Sequence, residues 1–581
     1  VQDPDVQDPD AQDVAWVGGT VRLDEHTVTE ALVTRAGRVV AAGRRADVLE
    51  RHPAARRVDV GGAVVAPGLV DTHPHLLHFG VWKAPLVDVA AAGRWADIVG
   101  AVRSAAAVAP PGEWVMTTPV GEPHYFVRRS WRDLAEGVLP DAAALDAATR
   151  AHPVLIQAWA PVVPGHIALN SAGLAALGID ARTPDRVAGV TVEKDAAGRP
   201  TGRLSGAVTN YYNHDPFWSS LWPRIPYVRP AAIPGGVLQS MAEHSALGIT
   251  TVYEGHAMEP AHIGLYRELR VRDALTVRVL AAPEVLGSAL PASGVPDADG
   301  LAASLAEALA VLDPPGAQDD RLRVRGITLT PTGPCYNGHL VMREPYRGPH
   351  GEPTSGRWFV PPDLLGRALR TAAERGLRVN LCGGGLGEHD VVLDHLDRMR
   401  AEGLAARRWV FQHAYFLDER QARRYHDHGV DMTVSLGFTH GKGDMFRDRL
   451  GDGVLGDLNP LRRMLDAGIR VGASTDWGPK NPFEAMALAV THEFGGSGYR
   501  NDGPAQRVDR TQAYAMWGRG AAEVLDWPGV GELRPGGHAD LVLLDRDPVT
   551  CPLDDLPGTR VLATVLGGRQ VAGAIQPAAA T

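Results

Sequence analysis

An apolar run, VVAPGLV, leads into Asp71-Thr72-His73-Pro74-His75. Residues two apart in an extended chain project to the same side, so His73 and His75 are expected to present two imidazoles together. Two imidazoles on one strand end make half of a metal site. A second pair with this spacing, Glu254-Gly255-His256, closes the β-branched run ITTVY. A glutamate carboxylate can hold two metals between its oxygens, and the pair is expected to add Glu254 and His256 as ligands. The bland alternative is a hydrogen-bonded polar pair at a sheet rim.

These residues lie in a chain that alternates strand-like and helix-like runs. GITTVYEG, LTVRVLAAP, LRVRGITLTP, LRVNLCGGG, RWVFQHA, VDMTVSLG and IRVGASTD read as strands, and PPDLLGRALRTAAERG and NPLRRMLDAG as helices. Such alternation predicts an α/β protein with a parallel sheet, and its length favours a (β/α)8 TIM barrel. Residues 67–529 are assigned to the barrel, with an insertion over 85–240. Both ends, 14–66 and 530–575, are rich in short glycine-broken strands and are expected to form one composite β-domain. Residues 1–13, VQDPDVQDPDAQD, are an acidic tandem repeat without an apolar stretch, read as a disordered tail rather than a signal peptide. The segment YYNHDPFWSSLWPRIPY packs aromatics and prolines together. It reads either as a structural loop or as an apolar lid, in which Tyr211, Tyr212, Phe217, Trp218, Trp222 and Tyr227 would meet a substrate; Tyr212, Trp218 and Trp222 are the chosen contacts.

Composition narrows the field. The 581 residues are 45% hydrophobic and 22% charged with net charge -10, which fits a folded globular chain and offers no basic face for nucleic acid. The absence of an 18-residue apolar run predicts no membrane span. Three distant cysteines, Cys335, Cys382 and Cys551, argue against a disulfide framework and for the cytoplasm. Of 58 basic residues only Lys83, Lys194, Lys442 and Lys480 are lysine.

PGLVDTHPH resembles the first barrel strand of the amidohydrolase superfamily. The likeness runs along nearly the whole chain, most closely to the YtcJ-like (amidohydrolase 3) branch. GHIALNSAGLAALGI, GRPTGRLSGAV, WVFQHAYFLDERQ, GASTDWGP and LRPGGHADLVLLDRDP follow that branch's motifs in order. The resemblance implies a TIM barrel with a composite β-domain and one or two divalent metals at the barrel mouth. It makes His413 and Asp476 metal ligands, Asp476 also the catalytic base, His440 a second group near the reaction, and His166 a substrate contact.

The chain also departs from the branch. The fourth-strand segment VRGITLTPTGP has Gly326 near the place of the usual bridging lysine, and none of the four lysines falls there. The fifth strand reads VNLCGGGLGEHD, with Cys382 near the usual histidine. Cys382 is read as a buried inert cysteine, with thiolate ligation as the alternative. The expected ligand set is therefore His73, His75, Glu254, His256, His413 and Asp476, a nitrogen and oxygen site suited to Fe, Zn, Mn or Co.

Two activities follow as expectations. The rebuilt site favours oxygen activation, as in a small group of non-haem di-metal oxygenases on this fold. Two irons and O2 would then hydroxylate a bulky apolar secondary metabolite such as a diterpenoid in antibiotic biosynthesis, with an electron donor as partner. The alternative is a metal-dependent hydrolase of amide or formamide C–N bonds. A homodimer is a further expectation from the superfamily.

Overall fold

The computed structural model describes residues 12–83, 86–121, 129–158, 164–256, 258–287, 296–478 and 480–575. Residues 1–11 of the acidic repeat lie outside the described residues.

The apolar run before the histidines serves two sheets. Val64–Pro67 pairs antiparallel with Leu541–Leu544, in a sheet that also takes Thr20–Arg22 and Val561–Leu566. Gly68 then passes the chain to Leu69–Asp71, which pairs parallel with Ile249–Glu254. Strands from the two ends of the chain thus pair around the point where the first central strand begins.

The central strands are parallel and run in chain order along two arcs. Leu69–Asp71, Ile249–Glu254, Arg278–Ala281 and Leu322–Val324 form one arc. Glu284–Val285, Ile327–Leu329, Val379–Gly383, Val410–His413, Asp431–Val434 and Val471–Ala473 form the other. The third and fourth strands are each shared between the arcs. The Thr72 backbone N–H donates to Ala473 O at 3.2 Å, which sets the last strand beside the first. This is an α/β architecture of the TIM-barrel type. Buried Val252, Val279, Val324, Leu381, Phe411 and Val471 belong to one continuous apolar core, as parallel strands covered on both faces require. Arg278 and Asp540 form a fully buried ion pair at 2.6 and 2.8 Å, tying the third strand to the C-terminal strands.

The region expected as an insertion contains a sheet of its own. Its six strands run in the order Arg186–Val187, Val190–Lys194, Pro200–Gly206, Gly165–Leu169, Val154–Ile156, Val115–Thr117. No described helix is long and apolar enough to cross a membrane.

Candidate metal centre and active site

The ends of five central strands bring ligand-type atoms together. His73 Nε2 lies 3.0 Å from His75 Nε2, which is 3.1 Å from Asp476 Oδ1. Asp476 Oδ1 is 3.8 Å from His73 Nε2, and Asp476 Oδ2 is 3.8 Å from His413 Nδ1. Ligand atoms held about 2.0–2.1 Å from a tetrahedral zinc stand about 3.3 Å from one another, so these spacings fit a shared ion. His73, His75 and His256 form one three-donor group, and His73, Cys382 and His413 form another. His256 Nδ1 is buried without a hydrogen-bond partner among the described residues, and a cation would satisfy it. Burial pushes His73, His75 and His256 well below the usual histidine range, and neighbouring imidazoles push the same way. The rings are therefore neutral at pH 7, the form that binds metals. The donor set fits a divalent ion.

The backbone at this place is strained. His75, Tyr212, His413, Asp476 and Trp477 all have left-handed φ, between 49° and 71°. Each such conformation costs about 1–3 kcal/mol in a non-glycine residue. Concentrated here, it marks a place where side-chain aim outweighs backbone comfort.

Neighbouring groups hold the donors in position. Asp71 accepts the His73 N–H at 3.0 Å and the Thr475 hydroxyl at 2.6 Å, joining the two ligand-bearing loops. Burial raises Asp71 to about 6, against these hydrogen bonds. His75 Nδ1 meets His78 Nδ1 at 2.7 Å, leaving Nε2 for the cluster. His78 was not among the expected site residues, although its i+3 spacing from His75 was a usable signal. Lys480 donates to the carbonyls of Thr475 and Asp476. Burial alone would raise Asp476, but His413, His73 and Lys480 outweigh it and hold its carboxyl below the usual range. The carboxylate can therefore act as a base.

The cluster lies at one wall of a pocket that opens to solvent. Tyr211, Tyr212, Tyr336, Tyr415, Phe438 and Trp477 give the pocket an aromatic wall, and Thr330 and Thr332 reach it from the segment after the fourth strand. Gly326 has φ +78°, and a Cβ there would meet Arg378 O at 2.5 Å, so a lysine at this position would be excluded.

Several expected residues are placed elsewhere. Glu254 accepts from the backbone of Leu76 and Leu77 and from Tyr266 at 3.3 Å. It belongs to neither donor group, and burial raises its carboxyl to about 8. Trp218, expected against substrate, is 0% exposed in the main core. Trp222 packs on Tyr227. Neither lines the pocket: the short helix Pro216–Leu221, capped by Asp215, carries the Trp218 indole into the core, and Trp222, in the turn that follows, is half-buried against it. His440 Nδ1 pairs with the Glu493 carbonyl at 2.8 Å, outside the pocket lining. His166 packs at a tilt against Trp131, ring centroids 4.5 Å apart, in a separate cleft. Of the aromatic contacts chosen from the sequence, Tyr212 lines the pocket, and its hydroxyl meets His256 Nε2.

The amidohydrolase family model (Amidohydro_3) matches residues 56–572. The chain belongs to the amidohydrolase family. It is 25% identical over 588 residues to the N-substituted formamide deformylase of Arthrobacter pascens, covering 96% of this chain and 98% of that one. It is 23% identical to the putative amidohydrolase YtcJ of Bacillus subtilis, with 96% and 98% covered. An uncharacterized metal-dependent hydrolase from Pyrococcus horikoshii shares the fold with TM-score 0.68 at 20% identity, covering 94% of this chain and 99% of that one.

These findings correct the expected monooxygenase. The relatives carry hydrolase and amidohydrolase names, and diterpenoid oxidation with iron and O2 has no support among them. The structure supplies a physical reason as well. Glu254, the carboxylate meant to hold two irons, is engaged with backbone amides and Tyr266.

Proposed function

We propose that this amidohydrolase-family member is a metal-dependent hydrolase that cleaves the C–N bond of N-substituted formamides or related small amides. The observation that carries the reading is the placement of Asp476 among His73, His75 and His413 beside an aromatic pocket. The full-length likeness to a formamide deformylase directs it to C–N bonds.

His73, His75, His413 and Asp476 would hold the ion, with His256 beside them. When bound, a divalent ion supplies Lewis acidity toward a carbonyl and lowers the pKa of water. Asp476 takes the proton from the attacking water as its oxygen bonds to the carbonyl carbon. Asp476 then returns that proton to the departing nitrogen, and the C–N bond breaks. The aromatic wall of Tyr211, Tyr212 and Trp477 seats the N-substituent and limits competing water. Pairing of Val64–Pro67 with Leu541–Leu544 supports a composite β-domain from residues 14–66 and 530–575 carrying this barrel.

The test is formate release from a series of N-substituted formamides by zinc-loaded protein without O2, with and without a chelator. Chelator-sensitive release that rises with the apolar size of the substituent is expected. Metal-loaded protein that releases neither formate nor amine from any member would overturn the reading.

A further inference from the structure

We propose that Cys382 is a metal ligand of this centre, binding as a thiolate together with His73 and His413. The inference rests on the metal-dependent reading above and deepens it by naming a soft donor. Strand Val379–Gly383 lies in parallel register with Val410–His413, which pairs Cys382 with Gln412 and Gly383 with His413. Val379 and Leu381 enter the apolar core, so alternation along the strand turns Asn380 and Cys382 the other way. Cys382 is 2% exposed and lines the pocket beside His413 and Asp476.

Its Sγ lies within 4.8 Å of the donor atoms of both His73 and His413. A small apolar side chain would fill the same space, yet here sulfur faces imidazole nitrogens. Its electrostatic neighbours are the carboxyls Glu284, Asp476 and Glu388. Burial first, and then these carboxyls, raise the thiol above its ordinary range, so the sulfur keeps its proton until a cation takes its place. His256, whose Nδ1 has no hydrogen-bond partner among the described residues, shares His73 with this group as a second set of donors.

On binding, the S–H proton leaves to solvent and a sulfur–metal bond forms. A thiolate beside imidazoles selects borderline-soft ions, zinc or cobalt, over manganese or magnesium. The sulfur also offsets one positive charge of the ion.

The experiment is zinc K-edge X-ray absorption on the full chain carrying Cys335→Ser and Cys551→Ser. Cys382 is then the one cysteine left of three. A sulfur scatterer at about 2.3 Å, beside nitrogen and oxygen at about 2.0–2.1 Å, is expected. Adding Cys382→Ser should remove the sulfur shell while zinc remains detectable on the histidines. If zinc binds stoichiometrically with a nitrogen and oxygen shell alone, Cys382 is not a ligand and the metal-dependent reading stands. If no zinc is retained, both fall.

Discussion

Asp71 and Thr475 join the first and last central strands directly at the loops bearing His73 and Asp476, the Asp71 carboxyl accepting the Thr475 hydroxyl at 2.6 Å and the Thr475 backbone N–H at 3.2 Å. Asp71 also accepts the His73 N–H, so one carboxyl fixes the loops bearing His73 and Asp476. Removing such an outer partner costs roughly 10–100-fold in metal affinity. Asp71→Ala is expected to weaken zinc binding by about that factor, read by competition with a chromophoric chelator. Wild-type affinity in a folded variant would show that the loops hold themselves.

Glu254 gives a sharper contrast. It accepts from the first backbone amides of helix Leu76–Lys83, where an acceptor is favoured. Glu254→Gln keeps an acceptor and is expected to retain full zinc occupancy. Glu254→Ala loses it and should lower stability by about 1–3 kcal/mol. Atomic absorption decides the matter: loss of metal in the Gln variant would make Glu254 a ligand.

The contrast between Glu254 and His256 shows where sequence reading stops. Period-two alternation governs side chains only within a strand, and the strand ends at Glu254. Beyond it the chain turns, so the two side chains part. His73 and His75 also lie past their strand, Leu69–Asp71, and come together through a turn with His75 at φ 57°. There the spacing pointed to the correct neighbours through a different geometry. The order of the central strands was legible because each carries an apolar run, with several known motifs at their ends. The sheet within 115–206 was not, since strands as short as Val115–Thr117 and Val154–Ile156 show no period.

Trp218 separates packing from substrate contact. With its indole wholly buried, Trp218→Ala is expected to cost about 3–5 kcal/mol, seen as a lower urea midpoint. KM per folded molecule should stay near wild type. A raised KM at unchanged stability would return Trp218 to the substrate wall.

Arg278 and Asp540 are each buried and hydrogen-bonded to one another. Arg278→Met strands the carboxylate and should cost about 3–5 kcal/mol, while Arg278→Met with Asp540→Leu should recover much of it. Asp540 is held below its ordinary 3.8, with Arg278 outweighing the cost of burial. Its contribution is thus full above about pH 4 and is lost as pH falls through the lowered folded value. Denaturation midpoints across pH 3–7 should show the wild-type advantage over the double variant shrinking only at the acid end. An advantage independent of pH would mean that packing, not charge, is what the pair supplies.

Asp476 carries the heaviest expectation. Its carboxyl faces His73, His75 and His413, and against the cost of burial His413, His73 and Lys480 hold it below the usual carboxylate range. A positioned base typically contributes about 10^2–10^4 in rate, so Asp476→Asn at saturating zinc should lower kcat by that factor and change KM little. Asn retains an oxygen for the metal but cannot take the proton from water. The two roles can therefore be told apart by measuring zinc occupancy beside kcat. Occupancy near wild type with slow turnover assigns proton transfer to Asp476. Turnover that returns to wild type once zinc is saturating would show that its part is to hold the ion.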